Sequence, residues 1–279
     1  FKMHSHFINE GIDAFKQENY QGAFDNFKYA IKVSEMPVFQ GRVDTAIIFN
    51  AGLAAQNMKK WDNAAKYYQK AAKHGYQGAR TYLLLNHAYL QAGDTTQAVE
   101  ALKEGFEKYP KSNDMIGSLV NYYLLQSDQP EKALKYLNKA VEQYPDQAQY
   151  YSARAQVYDK IDNIEKAKEN YLKALELDSK NFMALYNLGV LYFNEGVDLE
   201  TKANKTKDEE EYKKLKKEAS DIFMKALPYM EKANEIKPNE LSVLSTLKTL
   251  YYRLRTKDEK YMDKYEQVNK QIKMLKEGN

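Results

Sequence analysis

Apolar residues recur along this chain at steps of three and four, as expected for helices that bury one face. In one such stretch, Ala64, Tyr68 and Ala71 lie four and then three positions apart. Residues at these spacings share one side of a helix, so the pattern predicts an amphipathic helix. Turn-forming residues such as Gly93 and Pro110 interrupt the pattern at short intervals. We therefore predict an all-α chain of short helices.

The same small–large–small triplet returns about every 34 residues. The first alanines of the four triplets are 34, 35 and 34 residues apart, and the triplets are Ala64/Tyr68/Ala71, Ala98/Leu102/Gly105, Ala133/Leu137/Ala140 and Ala167/Tyr171/Ala174. Twelve positions before each triplet lie Gly52, Asn86, Asn121 and Ala155. A single helix pair cannot bury its apolar face alone, so successive pairs must stack. The repeat predicts one continuous core along the array.

A unit of this length with Gly, Tyr, Ala, aromatic and Pro columns resembles the tetratricopeptide repeat. The resemblance covers nearly the whole chain and implies a right-handed superhelical solenoid of antiparallel helix pairs. It places units near 4–37, 45–78, 79–112, 114–147, 148–181 and 182–240, with a degenerate C-terminal cap at 241–279, all in one domain over 1–279. The resemblance says less about function, because this repeat serves many unrelated partners.

The sixth unit contains a 25-residue insertion near 195–220. Gly189 and Ala226 match columns that are twelve residues apart in other units, but here they are 37 apart. The insertion lacks proline and continues the alternating steps of three and four. We expect two lengthened helices in an antiparallel hairpin, with its tip near 204–208 and a kink at Pro228. This hairpin is either a solvated extension or a surface for a second contact, including self-association.

Helix ends carry further signals. A carboxylate at a helix start can accept hydrogen bonds from free backbone amides, and four aspartates follow the expected turns: Asp62, Asp94, Asp128 and Asp162. From about Asp258, a last helix has one apolar face and one lysine-rich face. A polar outer face is what a terminal cap of a repeat array needs.

Composition argues against catalysis. The chain has no cysteine and four histidines, which excludes disulfides, thiolate metal sites and a cysteine nucleophile. His4 and His6 lack a further ligand at a suitable spacing. No phosphate-loop, zinc-protease, hydrolase or dinucleotide motif occurs. We predict that the chain is not an enzyme and has no metal site or cofactor.

The charge pattern argues against nucleic acid as a partner. The formal net charge is only +3, and Lys and Glu alternate along solvated faces, without the basic stripe of a nucleic-acid binder. No apolar run reaches the roughly 18 residues of a membrane span. A first residue other than Met, together with a Lys- and Tyr-rich, cysteine-free composition, is similar to exported bacterial repeat proteins. This favours a periplasmic location, after removal of a signal peptide, over a cytoplasmic one.

The resemblance also implies a binding surface for a protein or peptide. In tetratricopeptide arrays the first helix of each unit lines the concave face, so the implied binding residues are Asn9, Asn50, Asn57, His87, Tyr122, Gln126, Gln156, Tyr186, Asn187 and Asn194. Amide side chains both donate and accept hydrogen bonds, which suits an extended peptide backbone.

Two known arrangements of such surfaces are absent. Leu84, Leu119 and Ala153 interrupt the asparagine column, so no continuous asparagine ladder forms. The Lys/Asn set that grips a C-terminal carboxylate in chaperone-docking members is missing, because a key column contains Ile8, Phe49, Leu83 and Ser118. The alternative function is a receptor for a carbohydrate or other small ligand, suggested by the 24 tyrosines.

Overall fold

The structure is a computed structural model that describes residues 2–39 and 44–277, except for the side chains of residues 125 and 126. The described residues form fourteen α-helices and no strand. The helices are α1 Lys2–Lys16, α2 Tyr20–Ser34, α3 Thr45–Asn57, α4 Trp61–Lys73, α5 Ala79–Gln91, α6 Thr95–Lys108, α7 Asn113–Asn121, α8 Pro130–Gln143, α9 Ala148–Lys160, α10 Ile164–Leu177, α11 Phe182–Ala203, α12 Glu209–Ile236, α13 Leu241–Leu254 and α14 Lys260–Glu277. A 3-10 turn, Pro37–Phe39, follows α2, and a π-helical turn, Tyr122–Gln126, continues α7.

The contacts divide the chain into two compact units, Phe1–Gln129 and Pro130–Asn279. In the first unit α1 packs on α2, α3 on α4 and α5 on α6, while α2–α3 and α4–α5 contacts join successive pairs. The second unit repeats this arrangement with α9–α10, α11–α12 and α13–α14 as its pairs. The predicted all-α architecture of stacked helix pairs is confirmed. A single array over the whole chain stays a prediction.

Small residues lie where the two helices of a pair approach each other. A Cβ added to Gly52 on α3 would lie 2.8 Å from the ring of Tyr68 on α4. Tyr68 is fully buried, and its hydroxyl donates a hydrogen bond of 2.8 Å to Gln56 Oε1. The ring therefore occupies the space that a side chain at position 52 would need, which explains the small–large pairing of the repeat.

The predicted aspartate caps are only partly correct. Asp94 caps α6 as expected and accepts from a backbone N–H at 2.9 Å. Asp62 instead lies within the first turn of α4. Asp128 and Asp162 have positive φ angles of 47° and 59°. Aspartate tolerates this left-handed conformation, which ends the preceding helix. The N-terminal cap of α10 is therefore the residue after Asp162, Asn163.

The lengthened hairpin is confirmed, and we call α11, α12 and the turn between them the arm. Its helices have 22 and 28 residues, compared with 13 to 15 in α1 to α6. The turn spans residues 204–208, and Asp208 caps α12 by accepting from Glu211 N at 2.7 Å. Pro228 lies on the exposed side of α12, and the helix continues through it.

The last pair covers the end of the second unit's core. Tyr261, Val268 and Ile272 of α14 are buried in a cluster that includes residues of α12 and α13. Lys264 of α14 forms an ion pair of 2.7 Å with Glu231 of α12. The predicted C-terminal capping helix is confirmed, with its apolar face inward as the sequence pattern indicated.

Candidate functional site

The predicted binding residues lie on the first helices of successive pairs, and they are divided between the two units. The first unit contains Asn9 on α1, Asn50 and Asn57 on α3, His87 on α5, and Tyr122 and Gln126 in the π-helical turn; the second contains Gln156 on α9 and Tyr186, Asn187 and Asn194 on α11. The side chain of Gln126 lies outside the described residues.

In the first unit, the predicted residues are available to a ligand to different degrees. Asn9, Asn57 and His87 are exposed, and Asn50 is half-buried. The Asn57 amide already donates to a backbone oxygen of its own helix at 2.9 Å. His87 packs edge-on against Trp61 at the start of α4, with ring centroids 5.5 Å apart. These residues form a polar surface without a deep recess of their own.

A cleft of about 190 Å³ lies between α5, α6 and α7 of the first unit. We call it the amide cleft, and its lining residues are Asn86, Leu90, Val99, Leu102, Ser118, Asn121 and Tyr122. Leu90, Val99 and Leu102 supply apolar surface, while two amides and two hydroxyls supply hydrogen-bonding groups. Among the described residues, no charged side chain lines it. The lining of the amide cleft thus combines apolar side chains with neutral polar ones.

Sequence reasoning identified Tyr122 in this cleft but missed Asn86, Ser118 and Asn121 as site residues. Asn86 and Asn121 occupy the column that contains Gly52 in the second helix pair. In the second pair, Gly52 lets the Tyr68 ring approach. The longer Asn86 instead reaches from α5 to α6, where its Nδ2 donates to Ala98 O at 2.9 Å. An amide in a small-residue column was therefore the available signal for this site.

The backbone is irregular where α7 ends. Ser127 N donates to Tyr122 O at 3.0 Å, an i to i+5 bond, which makes this a π-helical turn. Such turns are rare and occur frequently at functional sites. The ring of Tyr122 packs edge-on against Tyr123, with centroids 5.1 Å apart. The wider turn thus presents Tyr122 at the rim of the amide cleft.

In the second unit, Asn187 and Asn194 lie two turns apart on one side of α11, and Asn194 is the more exposed. Tyr186 stacks on Phe182 with centroids 6.1 Å apart, so its ring is committed to packing. Tyr171 beneath this helix is fully buried, and burial is the main cause that raises the pKa of its hydroxyl. Gln156 lies on a different helix, α9. Asn187 and Asn194 thus form a polar face of α11.

The part of the chain that the structure describes has neither a metal site nor a membrane-spanning helix. Within residues 2–39 and 44–277, no group of three or more His, Cys, Asp or Glu residues could hold a metal ion. None of the helices in those ranges combines the length and apolar character that crossing a membrane requires.

Comparison with known families decides what kind of array this is. A model described as tetratricopeptide repeat matches residues 49–113 and 83–148, and one described as TPR repeat matches residues 160–196. This chain is a tetratricopeptide-repeat protein. Tetratricopeptide repeats generally mediate protein–protein interaction, and the fold is generally a non-catalytic scaffold.

Individual relatives extend this result. The tetratricopeptide-repeat chain is 31% identical over 158 residues to protein O-mannosyl-transferase TMTC3 of Mus musculus, a match that covers 51% of this chain and 17% of that relative. The C-terminal part of a TPR repeat-containing protein from Cytophaga hutchinsonii has a crystal structure with a TM-score of 0.62 and 16% identity, covering 98% of this chain and 96% of that one. It has the same fold. A TPR repeats protein from Bacteroides fragilis is 28% identical, with coverage of 88% and 97% and a TM-score of 0.43.

Proposed function

We propose that this chain binds an extended peptide segment of a partner protein, with the amide cleft of the first unit as the anchor point. The observation that carries the proposal is the cleft itself, whose lining combines neutral hydrogen-bonding groups with apolar side chains. Asn86 and Asn121 supply amide groups that can both donate to and accept from a peptide backbone. The apolar surface of Leu90 suits an apolar side chain of the bound segment.

The size of the cleft supports a peptide over a compact ligand. Pockets for drug-sized molecules enclose about 300–1,000 Å³. The amide cleft, at about 190 Å³, suits one inserted side chain. The remainder of a bound segment would then lie on the adjoining polar surface, where we propose that Asn50, Asn57 and His87 contact it. Recognition would rest on shape and hydrogen bonds, because the lining residues that the structure describes are all uncharged.

The positions of the tyrosines give no support to the carbohydrate alternative. Among the described tyrosines, three are exposed, namely Tyr29 on α2, Tyr212 on α12 and Tyr252 on α13. Binding of a sugar face needs aromatic rings that are exposed together, and these three lie on separate helices. The other described tyrosines are at least half-buried in or beside the core, where they separate successive helices.

The proposed role is non-catalytic. The acidic side chains that the structure pairs lie mostly on exposed helix faces with lysine partners, such as Glu100 with Lys103 and Glu176 with Lys173. Solvated carboxylates of this kind are poor general acids and bases at neutral pH. We therefore propose a scaffold that positions a partner and performs no reaction on it.

Selection of peptides tests the proposal directly. Random peptides displayed on phage would be selected on the intact chain, and enriched sequences would be re-measured by fluorescence anisotropy. The Leu90→Glu variant places a charge in the apolar lining of the amide cleft, so we expect selected peptides to bind at least about tenfold more weakly. Leu90 is 38% exposed, so the folded state should tolerate this change.

The matched control is Leu177→Glu on α10 of the second unit. Leu177 is 37% exposed and undergoes the same chemical change, but it lies outside the amide cleft. Affinity should be unchanged in this control. Equal affinities of the selected peptides for the wild type and Leu90→Glu would refute the cleft as the anchor, and the absence of any enriched peptide would refute peptide binding.

A further inference from the structure

A second cleft lies in the second unit, between the arm and α13. It encloses about 670 Å³, and we call it the basic cleft. Its lining residues are Glu200, Lys216, Lys217, Ser220, Phe223, Thr249, Tyr252, Arg253, Arg255, Thr256 and Lys257. It exists because α12 is long enough for its early turns, around Lys216, to lie beside the C-terminal end of α13.

Positive charge in the basic cleft exceeds the carboxylates that face it. Glu200 pairs with both Lys216, at 2.8 Å, and Arg253. Lys257 pairs with Asp221 on α12 at 3.8 Å. Among the described residues, the five cations that line the cleft have two carboxylates as ion-pair partners, those of Glu200 and Asp221. The whole chain has a formal net charge of only +3, so this concentration does not reflect a generally basic surface.

Two of the cations are available to a ligand. Lys217 and Arg255 are both exposed, and within the described residues neither forms an ion pair with a carboxylate. The Arg255 guanidinium lies 3.8 Å from the ring centroid of Tyr252 and donates to the Tyr252 carbonyl oxygen. A guanidinium has five N–H groups, so Arg255 can hold this position over the ring and still donate to a carboxylate.

Packing holds the walls of the basic cleft in place. Phe223 is 1% exposed, and the Arg253 guanidinium lies 5.2 Å from its ring centroid. On the other side of the unit, Tyr251 donates to Glu231 at 2.9 Å, which ties α13 to α12. A preorganised site loses less conformational entropy on binding. Lys216 and Lys217 of α12 and Arg253 of α13 are therefore presented by two helices that are already fixed to each other, and Arg255 directly follows α13.

We propose that the basic cleft binds an acidic segment of a partner protein through at least two Asp or Glu side chains. The cations are distributed over α12, the end of α13 and the residues that follow it, which matches carboxylates spread along a chain better than one compact anion. Tyr252 is 46% exposed beside Arg255 and offers apolar surface to a side chain between the acids. The proposal depends on the second unit alone and is independent of the amide cleft.

Fluorescence anisotropy with a short fluorescein-labelled peptide of alternating Glu and Leu tests this site. We expect binding to the wild type that weakens as salt is added, because surface charge pairs are screened. The double variant Lys217→Glu/Arg255→Glu should bind at least about tenfold more weakly, since like charges then face each other. A peptide with Gln in place of Glu should lose affinity for the wild type.

The matched control is Lys28→Glu/Lys32→Glu, which makes the same change of charge at two exposed lysines of α2. It should bind the acidic peptide like the wild type, and circular dichroism should show both double variants folded. Equal affinity of the two double variants would overturn the proposal. Displacement of the peptide by tripolyphosphate at lower concentration than by unlabelled acidic peptide would overturn the assignment to a protein segment.

A second copy of this chain, bound through its arm, is the alternative occupant of the basic cleft. The same samples distinguish it from a separate partner protein. The arm tip contains Glu209 and Glu210, so a second copy could place its own carboxylates in the basic cleft. Sedimentation velocity of the protein without peptide should show a monomer. A dimer that the Glu209→Lys/Glu210→Lys variant abolishes would assign the cleft to a second copy and would overturn a separate partner as its occupant.

Discussion

The helix pair α3–α4 in the first unit has one close contact between a glycine and a large side chain, whereas the arm in the second unit has two. In α3–α4, Gly52 admits the ring of Tyr68 at one crossing point. In the arm, Gly189 faces Met230, and seven residues further along α11, Gly196 faces Phe223. Phe223 precedes Met230 by the same seven residues. The arm thus repeats the small-against-large contact two helical turns further out.

This difference shows how a repeat can lengthen without losing its packing. Two turns of each helix preserve which side chains face the partner, since seven residues return almost to the same helix face. The added turns of α11 and α12 therefore continue one interface. Tyr212, in the first turn of α12, is 41% exposed, whereas Phe223 is 1% exposed. Stability should accordingly be concentrated at the base of the arm.

The variant with the largest expected effect on stability in this comparison is Phe223→Ala. Removing a fully buried ring from the second contact should lower the free energy of unfolding by about 3–5 kcal/mol. Urea unfolding followed by circular dichroism would measure the loss. The control is Tyr212→Ala near the tip, where the exposed ring should contribute within about 0.5 kcal/mol. Similar losses at the two positions would show that the arm has no stable base.

The next test compares the glycines themselves. A Cβ at Gly196 would lie 2.5 Å from the Phe223 ring, and one at Gly52 would lie 2.8 Å from the Tyr68 ring. We expect Gly196→Ala and Gly52→Ala each to cost about 1–3 kcal/mol through overpacking.

The matched control for both is Gly117→Ala on α7. A Cβ there meets nothing within 4 Å, so the substitution should stabilise the helix by up to about 1 kcal/mol. The opposite sign separates the effect of close packing from that of helix propensity. Thermal unfolding of the three variants gives the comparison, and stabilisation by Gly196→Ala would contradict a close contact in the arm.

The smallest expected effect concerns the charges that join the arm to α13. Glu200 is 18% exposed and accepts from Lys216 and Arg253. Glu200→Gln should lower stability by about 1–2 kcal/mol, because two cations lose their shared carboxylate. Glu209→Gln is the control, since Glu209 is 80% exposed and pairs only with Lys213 among the described residues. This variant should change the free energy of unfolding by less than about 0.5 kcal/mol. Equal effects would show that the arm's inner ion pairs are no stronger than its outer one.

Periodicity alone was sufficient to predict most of the fold. The spacing of Ala64, Tyr68 and Ala71, and its return about every 34 residues, predicted stacked helix pairs, because burial of an apolar face depends only on local helical geometry. The extra length between Gly189 and Ala226 predicted the arm for the same reason. The aspartate caps were less predictable, since Asp162 can either cap a helix or end the previous one, and only the φ angle distinguishes these.

The sites depended on contacts between helices that sequence spacing does not specify. The resemblance indicated Tyr122 and the first helices, but Asn86 and Asn121 became candidates only when the structure placed them beside Leu90 in one cleft.

By itself, the sequence determined the helices and the long arm, because these follow from neighbours three, four and seven residues apart, and the repeat of about 34 residues predicted that the helices stack in pairs. Only the tertiary structure decided that Lys217 of the arm and Arg255 after α13 share the basic cleft. They are 38 residues apart in the sequence. Their proximity depends on how α12 packs against α13, and no local pattern records the angle and register of that packing.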